Sequence, residues 1–212
     1  MKDTVRNVAQ VVRLLEQSFG EKEAVVWHEN TFRVLVSTVL SQRTRDENTE
    51  IASRRLFKVY KTPKELAHAP VKKIEALVKS SGFYRAKSRN IKELSRIILR
   101  DFDGRTPDNI EDLITLPGVG RKTANCVLVY GFNKPAIPVD THVHRISNRL
   151  GWVKTKNPEE TEARLTESIP KKYWIRINNL MVKFGQEICK PIKPYCNKCP
   201  ITEYCAYYKN NF

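Results

Sequence analysis

The chain has 212 residues, of which 38 are lysine or arginine and 23 are aspartate or glutamate, so its formal net charge is +15. A hydrophobic content of 41% is too high for a disordered chain, and no stretch approaches the roughly 18 apolar residues of a transmembrane helix. The first residues, MKDTVRNVAQ, lack the apolar core of a signal peptide. We therefore expect an intracellular protein without a membrane partner, whose basic charge suits a polyanion such as nucleic acid. A merely basic soluble protein is the alternative.

Apolar residues recur with the helical period along most of the chain. Val5, Val8, Val12, Leu15 and Phe19 form one stripe, and Phe32–Leu40 forms a second. Further helices are predicted over Ile51–Tyr60, Val71–Lys79, Ile91–Arg100, Ile110–Leu116, Lys122–Tyr130 and Tyr173–Ile188. No stretch alternates with period two for long enough to indicate a sheet, so the predicted fold class is all-α.

Three pairs of a capping residue followed by proline predict helix starts: Thr62-Pro63, Thr106-Pro107 and Asn157-Pro158. No flexible linker or repeat divides the chain, and the best boundary is Gly131–Pro138, where the helical pattern stops. Any two domains are therefore expected to pack tightly against each other.

Residues 54–100 hold most of the excess charge. Fourteen basic residues face three acidic ones there, which gives +11 of the +15. Within this stretch the aromatic pair Phe83-Tyr84 stands among Arg85, Lys87 and Arg89. Basic side chains suit phosphates, and an aromatic ring suits stacking or wedging between bases. A simply solvated charged face is the alternative interpretation.

The segment Leu116–Asn125, LPGVGRKTAN, predicts a tight hairpin between two helices, the first ending at Leu116 and the second beginning near Arg121. Gly118 and Gly120 allow backbone conformations with positive φ and let a ligand approach the bare backbone. The free N–H groups and the positive dipole end of the second helix make an anion site, which suits a DNA phosphate. An ordinary turn with capping glycines is the alternative.

LPGVGRKTAN, together with the aspartate of PVDTHVHR eighteen residues after Lys122, closely resembles the endonuclease III family of helix–hairpin–helix DNA glycosylases. The likeness extends over nearly the whole chain. It implies two tightly packed helical domains with an active-site cleft between them. One covers 22–132 and carries the helix–hairpin–helix at about 109–130, and the other combines 1–21 with 133–212.

By this resemblance, Lys122 is the nucleophile that attacks C1′ of the damaged nucleotide, expels the base and forms a Schiff base, after which β-elimination cuts the strand. Asp140 is the essential carboxylate. A helix N-terminus and neighbouring cations disfavour a charged lysine, and a carboxylate stabilises a cationic sugar, so the chemistry agrees. Otherwise Lys122 binds phosphate and Asp140 is only a helix cap.

Four cysteines in the last 24 residues follow the pattern C-x6-C-x2-C-x5-C. In an intracellular protein such thiolates indicate structural zinc or an iron–sulfur cluster, and the chemistry alone does not choose. The resemblance implies a 4Fe–4S cluster within 189–205, with zinc as the alternative. The expected ligands are Cys189, Cys196, Cys199 and Cys205. Cys126 is expected in the core.

Two loops are candidates for opening the base stack, as base excision requires. The resemblance implies that a glutamine from the loop after Leu40 fills the gap and that Phe83 is the wedge. The family pattern places two residues between the leucine and the glutamine, but here only one intervenes, so Arg43 takes the usual position and Gln42 comes one residue early. Ordinary surface residues and a core Phe are the alternative.

Four further residues complete the predicted site. Gly118, Gly120 and Arg121 are expected at the DNA phosphates, together with the two loops. His142 is expected to contact DNA or Asp140, whereas His144, two positions further along the same helix, faces another direction and is expected to be structural.

The resemblance thus implies a monomeric bifunctional DNA glycosylase and AP lyase that removes oxidised pyrimidines from duplex DNA. A related enzyme for mismatched or alkylated bases is one alternative. A non-catalytic DNA-binding module that uses the hairpin and the cysteine loop as scaffolding is the other.

Overall fold

The structure, a computed structural model, describes residues 7–20 and 30–212. The described residues are helical, with short 3₁₀ turns and no strand, as the sequence predicts. Val5, the first member of the predicted N-terminal stripe, lies outside them. The helices are α1 (Val8–Phe19), α2 (Thr31–Ser41), α3 (Asp46–Val59), α4 (Pro63–His68), α5 (Val71–Leu77), α6 (Tyr84–Asp101), α7 (Ile110–Leu113), α8 (Arg121–Phe132), α9 (Thr141–Leu150), α10 (Pro158–Ser168), α11 (Trp174–Glu187) and α12 (Ala206–Asn211).

The chain divides into two compact units. The first, here called the cysteine unit, combines Met1–Ala24 with Lys134–Phe212, and the second, the hairpin unit, is Val25–Asn133. The domain boundary expected between residues 21 and 22 falls outside the described residues.

The cysteine unit is built around α1, α9 and α11. Their apolar stripes meet in one core, in which Leu15, Val143 and Phe184 are almost fully buried. Phe19 contacts the Phe184 ring edge-on at a centroid distance of 5.9 Å. Burial of a large apolar side chain contributes about 1.5–3 kcal/mol, so this core holds α9 firmly in place.

The hairpin unit is built around α2. Its residues Val34, Leu35, Val36, Val39 and Leu40 are fully buried, because α3, α6 and α8 pack around it on different sides. A helix that is apolar on nearly all sides belongs in the centre of such an arrangement. As a result, the end of α2 and the start of α8 are held within one rigid core.

The predicted helix starts were right at two of three positions. Thr62 caps α4 in a full capping box with Glu65, and Asn157 caps α10, each followed by proline at the first helical position. The start predicted at Thr106-Pro107 is wrong, because Asn109 accepts a hydrogen bond from the Asp112 backbone and α7 begins only at Ile110. The nearer cap, with two acidic residues in the first turn, determines the start.

Helix lengths also differ from the sequence predictions. The helix predicted over Ile91–Arg100 begins seven residues earlier, at Tyr84, and the one predicted to end at Leu116 already ends at Leu113. Turn hydrogen bonds with three-residue spacing carry the chain from there to Leu116. None of the described helices is long and apolar enough to cross a membrane.

Candidate active site and nucleic-acid interface

The hairpin between α7 and α8 depends on Gly118. Its φ of +79° lies in the left-handed region, as predicted, which disfavours any residue with a side chain. A Cβ at this position would also lie 2.7 Å from the side-chain nitrogen of Asn90 in α6, which is too close. Backbone conformation and close packing therefore both require glycine here.

Gly120 differs from Gly118 in its backbone. Its φ is −91°, so it does not use the positive φ that glycine allows. Gly120 is the N-cap of α8, and a Cβ there would meet nothing within 4 Å. Because that space is open, a ligand has access to the first turn of α8, whose backbone N–H groups and dipole favour an anion.

Arg121 and Lys122 are the first two residues of α8, and both are exposed, whereas the following residues from Thr123 to Val129 are buried. The core thus fixes the direction of α8, while its first turn presents two basic side chains beside the open N-cap. Cys126 is buried on the same helix, as expected. The local arrangement can bind an anion and can present an amine to an electrophile.

The loop of residues 42–45 is tied to the hairpin through Gln42. The Gln42 side chain nitrogen donates hydrogen bonds to the Gly118 carbonyl at 2.7 Å and to Oγ1 of Thr123 at 3.1 Å. Gln42 is half-buried. The two segments expected to contact DNA are therefore joined directly within the hairpin unit.

Arg43 and Phe83 lie side by side on the surface. Both have left-handed backbones, with φ of 49° and 56°, and the Arg43 guanidinium lies 5.9 Å from the centre of the Phe83 ring. Phe83 is 65% exposed, which excludes a core role for this ring. The loop of residues 78–83 and the loop of residues 42–45 thus present one arginine and one exposed aromatic ring together.

Lys87 does not serve the role that its place in the basic stretch suggested. Lys87 is buried, at 4% exposure, so it cannot bind phosphate. Arg85 and Arg89 are exposed and can still do so. The Nζ of Lys87 donates to oxygens of both loops. Its spacing from Ile91, Leu94 and Ile98 on the buried face of α6 was a signal that the sequence contained.

In the cysteine unit, Asp140 is the N-cap of α9. One oxygen of its carboxylate, Oδ1, accepts hydrogen bonds from the backbone nitrogens of His142 and Val143, both at 2.9 Å. Asp140 is half-buried at the end of the extended segment that precedes α9. The carboxylate is therefore held in a fixed orientation by the helix that it caps.

His142 is the second residue of α9, and its Nδ1 is 3.2 Å from the Arg145 guanidinium. Burial lowers the pKa of His142, Arg145 and Lys190 lower it further, and Asp140 opposes this shift. A Cβ on Gly185 of α11 would lie 2.3 Å from the His142 ring, so α9 and α11 pack too closely there for a side chain. His144 instead bonds Thr161 at 2.7 Å within the fold.

All four clustered cysteines line one pocket, together with apolar side chains such as Ile146 and Phe184. Each thiol is half-buried and none forms a disulfide. Burial is the main cause that raises the pKa of Cys199 to about 11, and it also raises the pKa of Cys196 and Cys205. Among residues 7–20 and 30–212, no group of three or more His, Cys, Asp or Glu side chains is arranged to hold a single metal ion.

Two arginines of α9 fasten the loop of residues 189–205. Arg149 donates to the sulfur of Cys189 at 3.3 Å and to the carbonyls of Lys190 and Pro191 at 2.7 and 2.8 Å. Arg145 donates to the Cys189 carbonyl at 2.9 Å. The helix that Asp140 caps, α9, therefore also holds the cysteine loop.

Comparison with known proteins agrees with this arrangement. Residues 36–171 match the HhH-GPD superfamily base excision DNA repair proteins. Endonuclease III of Thermotoga maritima is 58% identical over 184 residues, which cover 86% of each chain. The chain belongs to the endonuclease III family. It is a DNA glycosylase of base excision repair, as the sequence predicts.

Two solved structures of other proteins share the fold. A trapped endonuclease III–DNA covalent intermediate, an estranged-adenine complex, superposes with a TM-score of 0.88 at 35% identity and covers 96% of both chains. A thermostable thymine-DNA glycosylase superposes with a TM-score of 0.83 at 25% identity, covering 95% of this chain and 96% of that one. The fold is thus shared by an endonuclease III and by a thymine-DNA glycosylase.

Proposed function

We propose that this member of the endonuclease III family is a bifunctional DNA glycosylase and AP lyase acting on oxidised pyrimidines in duplex DNA. The observation that carries the proposal is the exposed Lys122 at the second position of α8, directly after the open N-cap Gly120. A purely phosphate-binding hairpin has no need of Asp140, whose carboxylate is fixed at the start of α9.

In the proposed reaction, the neutral amine of Lys122 forms a bond to C1′ while the glycosidic bond breaks and the base leaves with its electron pair and takes up a proton. The sugar ring then opens, O4′ takes up a proton, and a protonated imine links Lys122 to C1′. Loss of a proton from C2′ expels the 3′ phosphate, which cuts the strand. Hydrolysis of the imine finally restores the amine.

Asp140 is proposed to stabilise the positive charge that develops on the sugar as the base departs and to move the amine proton. Oδ1 is already engaged in capping α9. We assign this role to the carboxylate charge, which capping leaves in place. The trapped covalent complex of a relative with DNA supports a covalent route in this family.

The DNA phosphates are proposed to bind at the first turn of α8, beside Gly118, Gly120 and Arg121. Backbone N–H groups and the helix dipole suit a phosphate there, and the open space at Gly120 gives it access. The net charge of +15 favours a polyanionic partner, as duplex DNA is.

A strand-cleavage panel tests the substrate class. Duplexes carrying thymine glycol or dihydrouracil are expected to be cut at least about tenfold faster than duplexes with uracil, a mismatched thymine or an alkylated purine. A duplex with a plain abasic site is expected to be cut whichever of these bases the enzyme prefers. The similarity to a thymine-DNA glycosylase makes mismatched thymine the main competitor. Faster cleavage at mismatched thymine would replace the proposed substrate class, and no cleavage of any duplex would reject the proposed lyase activity.

We also propose that Arg43, and not Gln42, enters the gap left by the turned-out nucleotide, while Phe83 wedges into the stack. Gln42 is engaged by the hairpin through two hydrogen bonds, whereas Arg43 is exposed beside the Phe83 ring. An arginine offers only hydrogen-bond donors and matches the O6 and N7 acceptors of guanine, whereas glutamine matches adenine.

Cleavage of a lesion opposite each of the four bases tests this assignment. The wild-type enzyme is expected to favour guanine opposite the lesion, and Arg43→Gln is expected to shift the preference toward adenine by about tenfold. Gln42→Leu is the matched control and should slow all four duplexes by a similar factor. The assignment fails if Arg43→Gln leaves the ranking unchanged while Gln42→Leu alters it.

The cysteine loop is proposed to hold a 4Fe–4S cluster. Four thiols around one apolar pocket fit a cluster with four cysteine ligands. Burial raises the pKa of Cys199 to about 11, and a bound cation would favour the thiolate form there. Such a cluster would order residues 189–205.

Iron, sulfide and zinc analysis of protein purified without oxygen tests the cofactor. We expect four iron and four sulfide per chain, with a yellow-brown colour and absorbance near about 400 nm. Cys199→Ser should lose the colour, whereas Cys126→Ala, in the core of the hairpin unit, should keep it. A colourless protein with one zinc per chain would establish the zinc alternative.

A further inference from the structure

Lys87 is buried where α6 meets both loops of the hairpin unit. All four acceptors of its ammonium are neutral oxygens: the carbonyls of Leu40 and Gln42 at 2.8 and 2.5 Å, and the hydroxyls of Thr44 and Ser81, both at 2.9 Å. A buried cation without a carboxylate is expensive, and an apolar side chain would fill the space at lower cost. Burial lowers the pKa of Lys87 to about 8, so the ammonium with its three N–H donors still prevails at pH 7.

Two of the acceptors belong to the end of α2. The last carbonyls of a helix lack donors within the helix, and the negative end of its dipole favours a cation. Lys87 satisfies the carbonyls of Leu40 and Gln42 at that end. It therefore fixes the direction in which the 42–45 loop leaves the core.

The other acceptors connect this loop with the 78–83 loop. The Ser81 hydroxyl donates to the Leu40 carbonyl at 2.8 Å, and the Gly82 nitrogen donates to Oγ1 of Thr44 at 3.0 Å. A Cβ on Gly82 would lie 2.9 Å from the carbonyl oxygen of Arg43, so the two loops touch through their backbones. Lys87 is at the centre of this network.

The network borders the two exposed side chains that the loops present. Arg43 lies between Gln42 and Thr44, which both bond Lys87, and Phe83 follows Ser81 by two positions. Both have left-handed backbones, which are costly for residues with side chains and persist only where the surroundings hold them. The contacts of Lys87 supply that restraint.

We propose that Lys87 is a positioning residue for lesion recognition, which holds the two loops together so that Arg43 and Phe83 enter the duplex as one preformed pair. The inference rests on the proposed function of this surface. Without Lys87, the loops would have to be ordered during binding, and that ordering would reduce the free energy available for opening the stack.

Lys87→Met, which keeps the length and removes the ammonium, tests the proposal under single turnover. Two duplexes are compared, one with a paired thymine glycol and one with an abasic site, where no base has to be unpaired. Cleavage of the duplex with the paired lesion should slow at least about tenfold more than cleavage of the duplex with the abasic site. A tenfold difference corresponds to the cost of ordering about two long side chains at binding. A 2-aminopurine beside the lesion, which brightens on unstacking, should show a smaller rise in the variant.

Lys92→Met is the matched control, because Lys92 lies on the same helix and its Nζ donates to one carbonyl, that of Ala69, at 2.8 Å. Its ratio of paired-lesion to abasic-site rates should equal that of the wild type. Ser81→Ala removes one acceptor of Lys87 and keeps the charge, so it should lower the ratio in the same direction but less. It also supplies the test if Lys87→Met does not fold.

The possible results separate this proposal from the proposed function. Equal slowing of both substrates in Lys87→Met, with an unchanged fluorescence rise, would overturn the positioning role and indicate only a loss of folded enzyme. An unchanged ratio in Ser81→Ala would overturn it in the same way. A wild-type enzyme that cuts neither duplex would instead overturn the proposed function itself.

Discussion

Lys122→Ala is expected to abolish the covalent adduct that borohydride traps between the enzyme and an abasic duplex. The reductant converts the imine into a stable amine bond, so trapping requires the amine itself. Without the nucleophile, strand cleavage should fall on the order of 10³-fold or more, since no neighbouring group forms the same bond. Trapped adduct is quantified as the slower band on a denaturing gel after titration with excess duplex.

Lys64→Ala is the matched control for this experiment. Lys64 is an exposed lysine at the second position of α4, as Lys122 is at the second position of α8. Its replacement alters the charge and the helix propensity equally and should leave the adduct yield within about twofold of the wild type. Normal trapping by Lys122→Ala would show that another amine is the nucleophile.

Asp140→Asn is expected to reduce base removal on the order of 10²–10³-fold while leaving the protein folded. Asparagine caps a helix as well as aspartate does, so the hydrogen bonds from the nitrogens of His142 and Val143 are retained and only the charge is lost. The free energy of unfolding should change by less than about 0.5 kcal/mol. Asp140→Ala should lose activity to a similar degree and about 1 kcal/mol of stability as well.

The pair of variants separates the two roles of this carboxylate. Base release is measured with a radiolabelled thymine glycol duplex, and unfolding is followed by circular dichroism on the same preparations. If Asp140→Asn removes the base at the wild-type rate, Asp140 is only the cap of α9. If both variants lose stability to the same extent, the charge itself supports the fold.

Much of the fold was predictable because helical periodicity is a local property. The apolar stripes of α1 and α9 indicate their buried faces directly, and the capping residues Thr62 and Asn157 predict the starts of α4 and α10. Thr106 failed as a helix start because a second cap, Asn109, stands closer to the apolar residues. A choice between two plausible caps depends on packing, which the local sequence does not contain.

The candidate site was predictable in its motifs and less so in its contacts. Lys122 lies at the start of α8, and the four cysteines line one cavity, as their spacing indicates. Lys87 could not be told from its basic neighbours by charge alone, because three of its four acceptors, on Leu40, Gln42 and Thr44, lie more than 40 positions earlier in the sequence. Gly120 stands in the same turn sequence as Gly118, yet its backbone is extended.

The close approach of α9 and α11 links two positions that are 43 residues apart in the chain. A methyl group on Gly185 would come within 2.3 Å of the His142 ring, so position 185 has no room for a side chain while His142 keeps its place. In related sequences a side chain at position 185 should therefore occur only with a smaller residue at position 142. The His142 ring occupies the space that a side chain at position 185 would need, so which residues are tolerated at position 185 depends on position 142.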